Sequence, residues 1–369
     1  MTAVLTAETR QNRSSLQPLP GWRLPAQAPG GIEDCSLVVA TYKRPDDVRR
    51  LIECLSQMPG VPQEVIVVDG APERDTEEVL LAASRAAKMP FELVYVQSPK
   101  GLTLQRNVGI DISSKKFLFF LDDDAAPLEG YFTAMRQAFL DDKGETIGAL
   151  GGCAVNEMNK SMPRRWRIRR ALGLVPRTEP FIYSDAGTSA PTGLLKPFSG
   201  LRDVDIFPGY AFAVRRRIFD TMRFSGFFDG YSYGEDVEMA LRIRQAWRVV
   251  CCGDARVMHH VSPGGRPAAF TKGRMEVRNR YFIWRRYSRR ASLLNTLRFH
   301  FDFFYLFLMD LAWFACRPWK LHYLSHAFGV TSGVASCAIA PPQWQEPAPV
   351  VRYRMARGEE SDRGVPCLQ

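Results

Sequence analysis

Four apolar runs alternate with segments of helical periodicity in the first third of the chain. The apolar runs lie at 35–41, 64–70, 91–97 and 117–121. Between the first two, residues 46–58 carry apolar side chains at intervals of three and four, which is the period of an amphipathic helix. Residues 73–88 and the segment that begins at Gly101 are predicted as the next two helices. This alternation predicts an α/β fold with a Rossmann-like, mostly parallel sheet.

Polar side chains follow three of these predicted strands, where each strand ends. Thr41 ends the first strand, Asp69 ends the second, and Asp122, Asp123 and Asp124 follow the fourth. Open α/β sheets bind their ligands at the carboxyl ends of the strands, so we expect a ligand site at this edge. Three adjacent carboxylates repel one another unless a cation lies between them, and a divalent ion that bridges to a diphosphate would satisfy them. The alternative is a solvated acidic turn in which Asp124 caps a helix.

Composition narrows the class of protein. The 369 residues are 46% hydrophobic and carry a net charge of +10, which indicates a folded protein with an anionic partner. A nucleoside diphosphate or an anionic membrane surface fits this charge, whereas no zinc-finger or RNA-binding motif supports a nucleic-acid partner. None of the eight cysteines form C-x-x-C pairs, which favours buried, reduced thiols in the cytoplasm. The N-terminus lacks the pattern of a secretory signal.

A second acidic motif and a histidine pair lie in the middle of the chain. Gly234, Glu235 and Asp236 precede a segment of helical periodicity, so their alternative role is to stabilise a helix N-terminus. His259 and His260 follow a predicted strand. Adjacent side chains on a strand point to opposite faces, so we expect only one of the two to face a site, and we favour His259.

These motifs, in this order, resemble those of the family 2 glycosyltransferases of GT-A fold. The matching segments are Val39-Ala40-Thr41-Tyr42-Lys43-Arg44-Pro45, Val67-Val68-Asp69-Gly70, Gly101-Leu102 with Arg106-Asn107-x-Gly109, Leu121-Asp122-Asp123-Asp124 with Pro127, and Gly234-Glu235-Asp236. The resemblance covers roughly residues 34–265. It implies a GT-A type domain that binds a nucleotide-diphospho-sugar.

The resemblance also implies a role for individual residues. The nucleotide-sugar would be bound by residues of the first four motifs: Thr41, Arg44, Asp69, Arg106, Asn107, Asp122 and Asp123. Asp122 and Asp124 would hold Mg²⁺ or Mn²⁺, with His259 as a further ligand. Asp236 would be the general base and Glu235 would orient the acceptor or the base. One departure is that Gly70 follows Asp69, where the family often has a second acid.

The remaining segments predict an appendage on this domain. We expect a mobile arm at 1–31, the GT-A domain at 32–265, a helical extension at 266–335 and a mobile tail at 336–369. The extension is basic and aromatic and contains an apolar run at 299–316, which is typical of a helix that lies on an anionic membrane surface. A helical subdomain that packs on the catalytic domain is the alternative, and the sequence does not decide whether 299–316 spans the membrane.

The expected function is therefore the transfer of one sugar, with inversion, to a hydroxyl acceptor. The acceptor would be a lipid-linked or cell-envelope glycan in polysaccharide biosynthesis, at the inner face of the cell membrane. The Q-x-x-R-W motif of processive synthases is missing. A nucleotidyltransferase is less favoured, because the turn after the first strand lacks glycines. A membrane-surface scaffold with a degenerate transferase domain is the rival from another class.

Overall fold

A computed structural model describes residues 19–175, 179–228, 230–262, 264, 266–288, 291–347 and 353–357. The strands are β1 (Leu19–Leu24), β2 (Ile32–Thr41), β3 (Pro62–Asp69), β4 (Glu92–Gln97), β5 (Phe117–Asp122), β6 (Ala125–Pro127), β7 (Ile147–Ala154), β8 (Leu201–Val204), β9 (Ala211–Arg215), β10 (Arg248–His259) and β11 (Tyr353–Arg357). The helices are α1 (Pro45–Gln57), α2 (Asp75–Ala86), α3 (Leu102–Ile112), α4 (Tyr131–Asp141), α5 (Arg164–Ala171), α6 (Glu235–Ile243), α7 (Ala269–Tyr287), α8 (Leu293–Cys316) and α9 (His322–Ile339).

All of these strands belong to one sheet of mixed direction. Its order is β11-β1-β4-β3-β2-β5-β9-β7-β10-β6, with β8 beside β10. The four strands from the first third of the chain pair in parallel, in the order β4-β3-β2-β5, which confirms the predicted α/β sheet. Strand β9 runs antiparallel to both β5 and β7 and joins the two halves of the sheet. The whole sheet is therefore mixed, with a parallel block of four strands, β4-β3-β2-β5.

The central strand β5 is buried on both faces because its successive aromatic side chains enter different cores. Phe119 packs edge-on against Phe132 on one face of the sheet, and Phe120 stacks on Phe212 on the other. Side chains alternate across a strand, so an unbroken apolar run fills both sides at once. The strand is thereby fixed in register, and the acidic residues after it are held at the carboxyl edge of the sheet.

Helix α3 packs unusually close to the sheet. A Cβ atom on Gly109 would lie 2.2 Å from a methyl carbon of Val38 on β2, so a larger residue would push the helix away. This approach sets the depth of α3, which carries Arg106 toward the carboxyl edge of the sheet.

The three C-terminal helices pack on each other and on α5. Gly273 on α7 and Gly329 on α9 each lie against backbone carbonyl groups of the other helix, at 2.4 and 2.1 Å from an ideal Cβ position. Helix α8 is tied to α5 and α7 by Asp302, which is fully buried and accepts hydrogen bonds from Arg169 and Arg280. Among the described residues, α8 is the one helix with the length and composition of a membrane span, with a mean hydropathy of 1.3.

The structure differs from the sequence-based expectations at both ends of the chain. Strand β1 lies within the segment 1–31 that was expected to be an arm, and β11 lies within the expected tail. Both extend the sheet beyond β4. The rest of the expected arm, residues 1–18, lies outside the described residues.

Candidate active site

A cavity of about 1290 Å³ opens at the carboxyl edge of the parallel strands. One wall consists of the ends of β2 and β5 and the N-terminus of α6. The opposite wall consists of residues from α5, α7, α8 and α9. Both acidic motifs of the sequence line this cavity, although more than 100 residues separate them in the chain.

Two of the strand-end carboxylates meet a histidine at the cavity. Asp122, Asp124 and His259 each offer one ligand atom, and these three atoms lie within 4.8 Å of one another. Asp124 Oδ1 lies 3.4 Å from His259 Nε2, and Asp124 Oδ2 accepts a hydrogen bond from the Ser262 backbone N–H at 2.7 Å. Burial raises the pKa of Asp124, but the hydrogen bonds from His259 and Ser262 outweigh it and leave the pKa below its ordinary value.

His259 is oriented by groups on its other side. Its Nδ1 lies 2.7 Å from Glu157 Oε1, and its ring stacks on Tyr210 with a centroid distance of 4.4 Å. Asn156 bonds the backbone N–H and carbonyl group of the same residue. Burial lowers the pKa of His259, but the hydrogen bonds to Asp124 and Glu157 outweigh burial and raise the pKa to about 9.

Asp123 points away from its two neighbours and into the turn after β2. Its Oδ2 accepts a hydrogen bond from Thr41 Oγ1 at 2.7 Å, and its Oδ1 accepts one from Arg44 Nη1 at 2.9 Å. Burial raises the pKa of this carboxyl group to about 7, despite the nearby charge of Arg44. Thr41, Arg44 and Asp123 therefore form one unit that joins two strand ends.

Arg106 joins the two acidic motifs. Its guanidinium donates to Glu235 Oε1 at 2.9 Å, to Asp122 Oδ1 at 3.1 Å and to the Gly209 carbonyl group at 2.7 Å. The side chain is only 3% exposed and lies over the rings of Phe212 and Phe224. Its donors are thus directed at protein acceptors, and they link the carboxylates of the two motifs.

The two acids of the second motif have different surroundings. Glu235 is buried, and burial followed by the charge of Asp236 raises its pKa to about 8. Asp236 is half-buried and lines the cavity, and its Oδ1 accepts a hydrogen bond from the Val237 backbone N–H at 2.8 Å. Burial also raises the pKa of Asp236. Of the two, Asp236 is the carboxylate that a molecule in the cavity can reach more directly.

This arrangement suits a particular chemistry. Two carboxylates and an imidazole offer oxygen and nitrogen ligands to a divalent cation. A second pair of carboxylates in the same cavity offers a proton acceptor.

Comparison with known proteins decides the family. The sequence profile described as "Glycosyl transferase family 2" matches residues 36–223, half of the chain. The chain belongs to glycosyltransferase family 2. It is a transferase, and its mixed sheet with a parallel block of four strands is of GT-A type.

Two relatives are uncharacterised members of the same class. The chain is 32% identical over 89 residues to an uncharacterised glycosyltransferase of Haemophilus influenzae, which is 24% of this chain and 29% of that protein. It is 29% identical over 109 residues to the uncharacterised glycosyltransferase YibD of Escherichia coli, which is 29% of this chain and 31% of that one. The match therefore spans about three tenths of the length of these relatives. The chain is also similar to a solved structure of GalNAc-T7 with UDP, GalNAc and Mn²⁺, with a TM-score of 0.48 and 13% sequence identity. The aligned region covers 83% of this chain and 58% of the GalNAc-T7 chain.

Two residues that were expected to bind the nucleotide of this glycosyltransferase lie outside the lining of the cavity. Asp69 is fully buried, and its Oδ1 accepts a hydrogen bond from the Ala71 backbone N–H. Asn107 exchanges two hydrogen bonds with the backbone of Phe224. Neither lines the cavity. In the structure both side chains bind backbone groups, and their contact with the nucleotide stays a prediction.

The structure also identifies site residues that the sequence did not single out. Glu157 follows β7 and binds His259, and it obeys the same strand-end rule that identified Asp69. Gln105 donates hydrogen bonds from Nε2 to the carbonyl groups of Thr41 and Val68 and thereby joins two strand ends. His260, the neighbour of His259, does not line the cavity of this glycosyltransferase.

Proposed function

We propose that this glycosyltransferase moves one sugar, with inversion, from a nucleotide-diphospho-sugar to an acceptor hydroxyl group with the help of Mg²⁺ or Mn²⁺. The main support for this proposal is that Asp122, Asp124 and His259 lie close together and line the same cavity as Asp236. A nucleotidyltransferase or a scaffold would not require a second reachable carboxylate opposite the first group.

The residues at the first group fit a hard divalent cation. Two carboxylates and one imidazole would hold it, and Glu157 accepts from His259 Nδ1, which leaves Nε2 as the ligand atom. Asp122 Oδ2 has no hydrogen-bond partner among the described residues, so it is available as well. When bound, the ion supplies positive charge that stabilises the leaving diphosphate.

Asp236 acts as the base in the proposed reaction. Its carboxylate takes the proton of the acceptor hydroxyl as the oxygen attacks the anomeric carbon. The new bond joins that oxygen to the anomeric carbon, the bond from the anomeric carbon to the phosphate oxygen breaks, and the nucleoside diphosphate leaves. Burial raises the pKa of Asp236, which makes it a stronger base than an exposed aspartate.

Glu235 and Arg106 hold this base in place. Arg106 neutralises part of the charge of Glu235 and Asp122, so both acidic motifs keep a fixed spacing without direct contact. Thr41, Arg44 and Asp123 form the wall on which the donor would lie, with Asp123 toward the sugar or ribose.

Metal-dependent nucleotide binding tests this proposal. Thermal unfolding of the purified protein with a panel of nucleoside diphosphates, with and without Mn²⁺, is expected to show stabilisation by one nucleotide only when Mn²⁺ is present. Asp124→Ala is expected to abolish the shift. Asp46→Ala, an exposed position outside the cavity, is the control. An unfolding temperature that no nucleotide changes would favour the hypothesis of a membrane-surface scaffold.

We also infer that the protein lies peripherally on the cytoplasmic face of the cell membrane, where a lipid-linked or cell-envelope glycan would be its acceptor. Helix α5 carries exposed arginines, and Arg165 accepts a hydrogen bond through its carbonyl oxygen from Tyr305 of α8. The neighbouring face of α8 exposes Leu297, Phe301 and Phe304. Basic and apolar side chains side by side suit an anionic bilayer surface.

Sedimentation with lipid vesicles tests the membrane inference. Binding to vesicles that contain phosphatidylglycerol, but not to pure phosphatidylcholine, is the expected result. Loss of binding in Phe301→Ser with Phe304→Ser would support α8 as the contact, whereas equal binding of this variant would contradict it.

A further inference from the structure

We propose that the helical end of the cavity is the acceptor subsite and that it binds a sugar ring of the acceptor through Glu276, the Asp310–His326 pair and the aromatic pair Trp313–Tyr323. This inference rests on the proposed function, since an acceptor is needed only if the chain transfers a sugar. All five residues line the cavity. They lie on α7, α8 and α9, beyond the residues that the family profile matches.

The size of the cavity leaves room for a second substrate. Pockets that enclose a single small ligand have volumes of about 300–1,000 Å³. This cavity measures about 1290 Å³ and extends from the strand-end carboxylates to α8 and α9. A donor at Asp122 and Asp124 would occupy one end and leave the helical end open.

Glu276 presents to that end a carboxylate that accepts no hydrogen bond from a described residue. It forms ion pairs with Arg280 Nη1 at 3.7 Å and His326 Nε2 at 3.8 Å, both beyond hydrogen-bond distance. No described residue donates a hydrogen bond to it. The side chain is 19% exposed and faces the cavity, so both oxygens are able to accept hydrogen bonds from sugar hydroxyl groups.

A histidine beside Glu276 is already oriented. His326 Nδ1 bonds Asp310 Oδ2 at 2.6 Å, which directs Nε2 toward the space between it and Glu276. With Nδ1–H donated to Asp310, Nε2 accepts a hydrogen bond in the neutral imidazole and donates one in the charged form, and the neighbouring carboxylate accepts. Both groups can therefore bind hydroxyl groups of a sugar ring.

Aromatic rings supply an apolar surface next to these polar groups. Trp313 of α8 and Tyr323 of α9 are nearly parallel, with centroids 6.2 Å apart, and the Arg317 guanidinium lies over the Trp313 ring at 5.1 Å from its centroid. Trp313 remains 38% exposed. An exposed part of an aromatic ring with polar groups at its border matches the two surfaces of a pyranose, which has an apolar C–H face and hydroxyl groups around its edge.

The helical end is rigidly connected to the proposed base. Asn279 of α7, one turn after Glu276, donates a hydrogen bond to the Tyr233 carbonyl group at 2.8 Å, and Tyr233 directly precedes the Gly234-Glu235-Asp236 motif. The close contacts of Gly273 and Gly329 fix α7 against α9. A sugar bound at Glu276 is thus held by the same helix that supports the loop of Asp236.

Binding of a panel of methyl hexosides to the full chain, loaded with its nucleoside diphosphate and Mn²⁺, tests this subsite. Titration calorimetry or ligand-observed NMR is expected to show that at least one hexoside binds. Glu276→Gln is expected to weaken that binding at least about tenfold, the usual effect of losing a hydrogen bond to a charged group. Trp313→Ala is expected to weaken it as well, because it removes the apolar ring surface. Nucleotide affinity and the thermal unfolding temperature are expected to stay unchanged. Phe328→Ala, an exposed aromatic residue on α9 that does not line the cavity, is the matched control.

Three results would overturn the inference, and they are distinguishable from failure of the proposed function. Nucleotide binding with no hexoside binding would remove the subsite and leave the transferase proposal intact. Hexoside binding that Glu276→Gln and Trp313→Ala leave unchanged would place the acceptor elsewhere. Binding of dodecyl but not methyl hexosides, lost in Phe304→Ala, would show that the helices bind an apolar chain. Failure of nucleotide binding itself would remove both proposals.

Discussion

Carboxylates bind basic side chains both at the strand ends, at Asp122 and Asp124, and between the helices, at Asp302. The two places differ in whether a carboxylate oxygen remains free to bind a ligand. Asp302 is fully buried, and both of its oxygens accept from the arginines of α5 and α7. Asp122 has 35% of its side chain exposed at the cavity and bonds one guanidinium through a single oxygen. Charge alone therefore does not identify a site. The decisive property is an oxygen that remains unpaired and reachable.

The same comparison predicts that mutations at the two places reduce different properties: stability at one, and ligand binding or catalysis at the other. A carboxylate that is saturated by protein donors contributes to stability, and one with open positions contributes to ligand binding or chemistry. Mutations at the two places should divide accordingly between the free energy of unfolding and the rate of transfer.

The largest effect is expected at the proposed base. Asp236→Asn removes the proton acceptor but keeps the size of the side chain, so the transfer rate should fall about 10²–10⁴-fold. Nucleotide affinity with Mn²⁺ should not change. Single-turnover rates, measured with the enzyme in excess over the donor and with saturating acceptor, check this. A variant with an undiminished rate would exclude Asp236 as the base.

The next effect is expected at Asp302 and concerns stability. Asp302→Ala leaves Arg169 and Arg280 buried without their partner, and breaking a buried ion pair in this way costs about 3–5 kcal/mol. Urea unfolding monitored by tryptophan fluorescence measures the loss. Asp203→Ala, which removes an exposed ion pair with Arg248, is the control and should cost at most about 1 kcal/mol. Equal losses in the two variants would contradict the comparison.

A smaller effect is expected at Glu157, which reaches the cation only through His259. Glu157→Gln keeps a hydrogen-bonding group near Nδ1 but removes the negative charge. Mutation of such an outer partner of a metal ligand lowers metal affinity about 10–100-fold. Mn²⁺ titration followed by electron paramagnetic resonance measures the affinity directly. Unchanged Mn²⁺ binding would show that His259 is not a ligand.

The smallest effect is the pH dependence of stability in the metal-free protein. Hydrogen bonds to Asp124 and Glu157 outweigh burial and raise the folded-state pKa of His259 to about 9, above its ordinary value of 6.5. The stability from this group is therefore fully present below pH 6.5 and is lost as the pH rises toward 9. His259→Gln should flatten the curve of unfolding temperature against pH in that window when chelator is present. A wild-type curve that is already flat would contradict the assignment.

Much of the fold and part of the site follow from local patterns. The alternation of strands and helices up to residue 122 was predicted because apolar periodicity reflects only which face of each element is buried. The position of Asp122, Asp123 and Asp124 at the edge of the sheet followed from the same pattern. The choice between His259 and His260 required the structure, as did the finding that Asp69 and Asn107 do not line the cavity.

The tertiary structure decided which distant residues meet. Arg106 and Glu235 lie 129 positions apart, His259 and Glu157 lie 102 apart, and Arg169 and Asp302 lie 133 apart. A sequence determines by itself which residues are polar, which are apolar and which segments have the period of a helix or a strand. Such long-range pairs depend instead on how whole elements pack, through contacts such as Gly109 against Val38 that set the depth of a helix. For this reason the sequence alone determined the acidic edge of the sheet, and only the packing of α3, α5, α7 and α8 determined whether each charge is saturated or free.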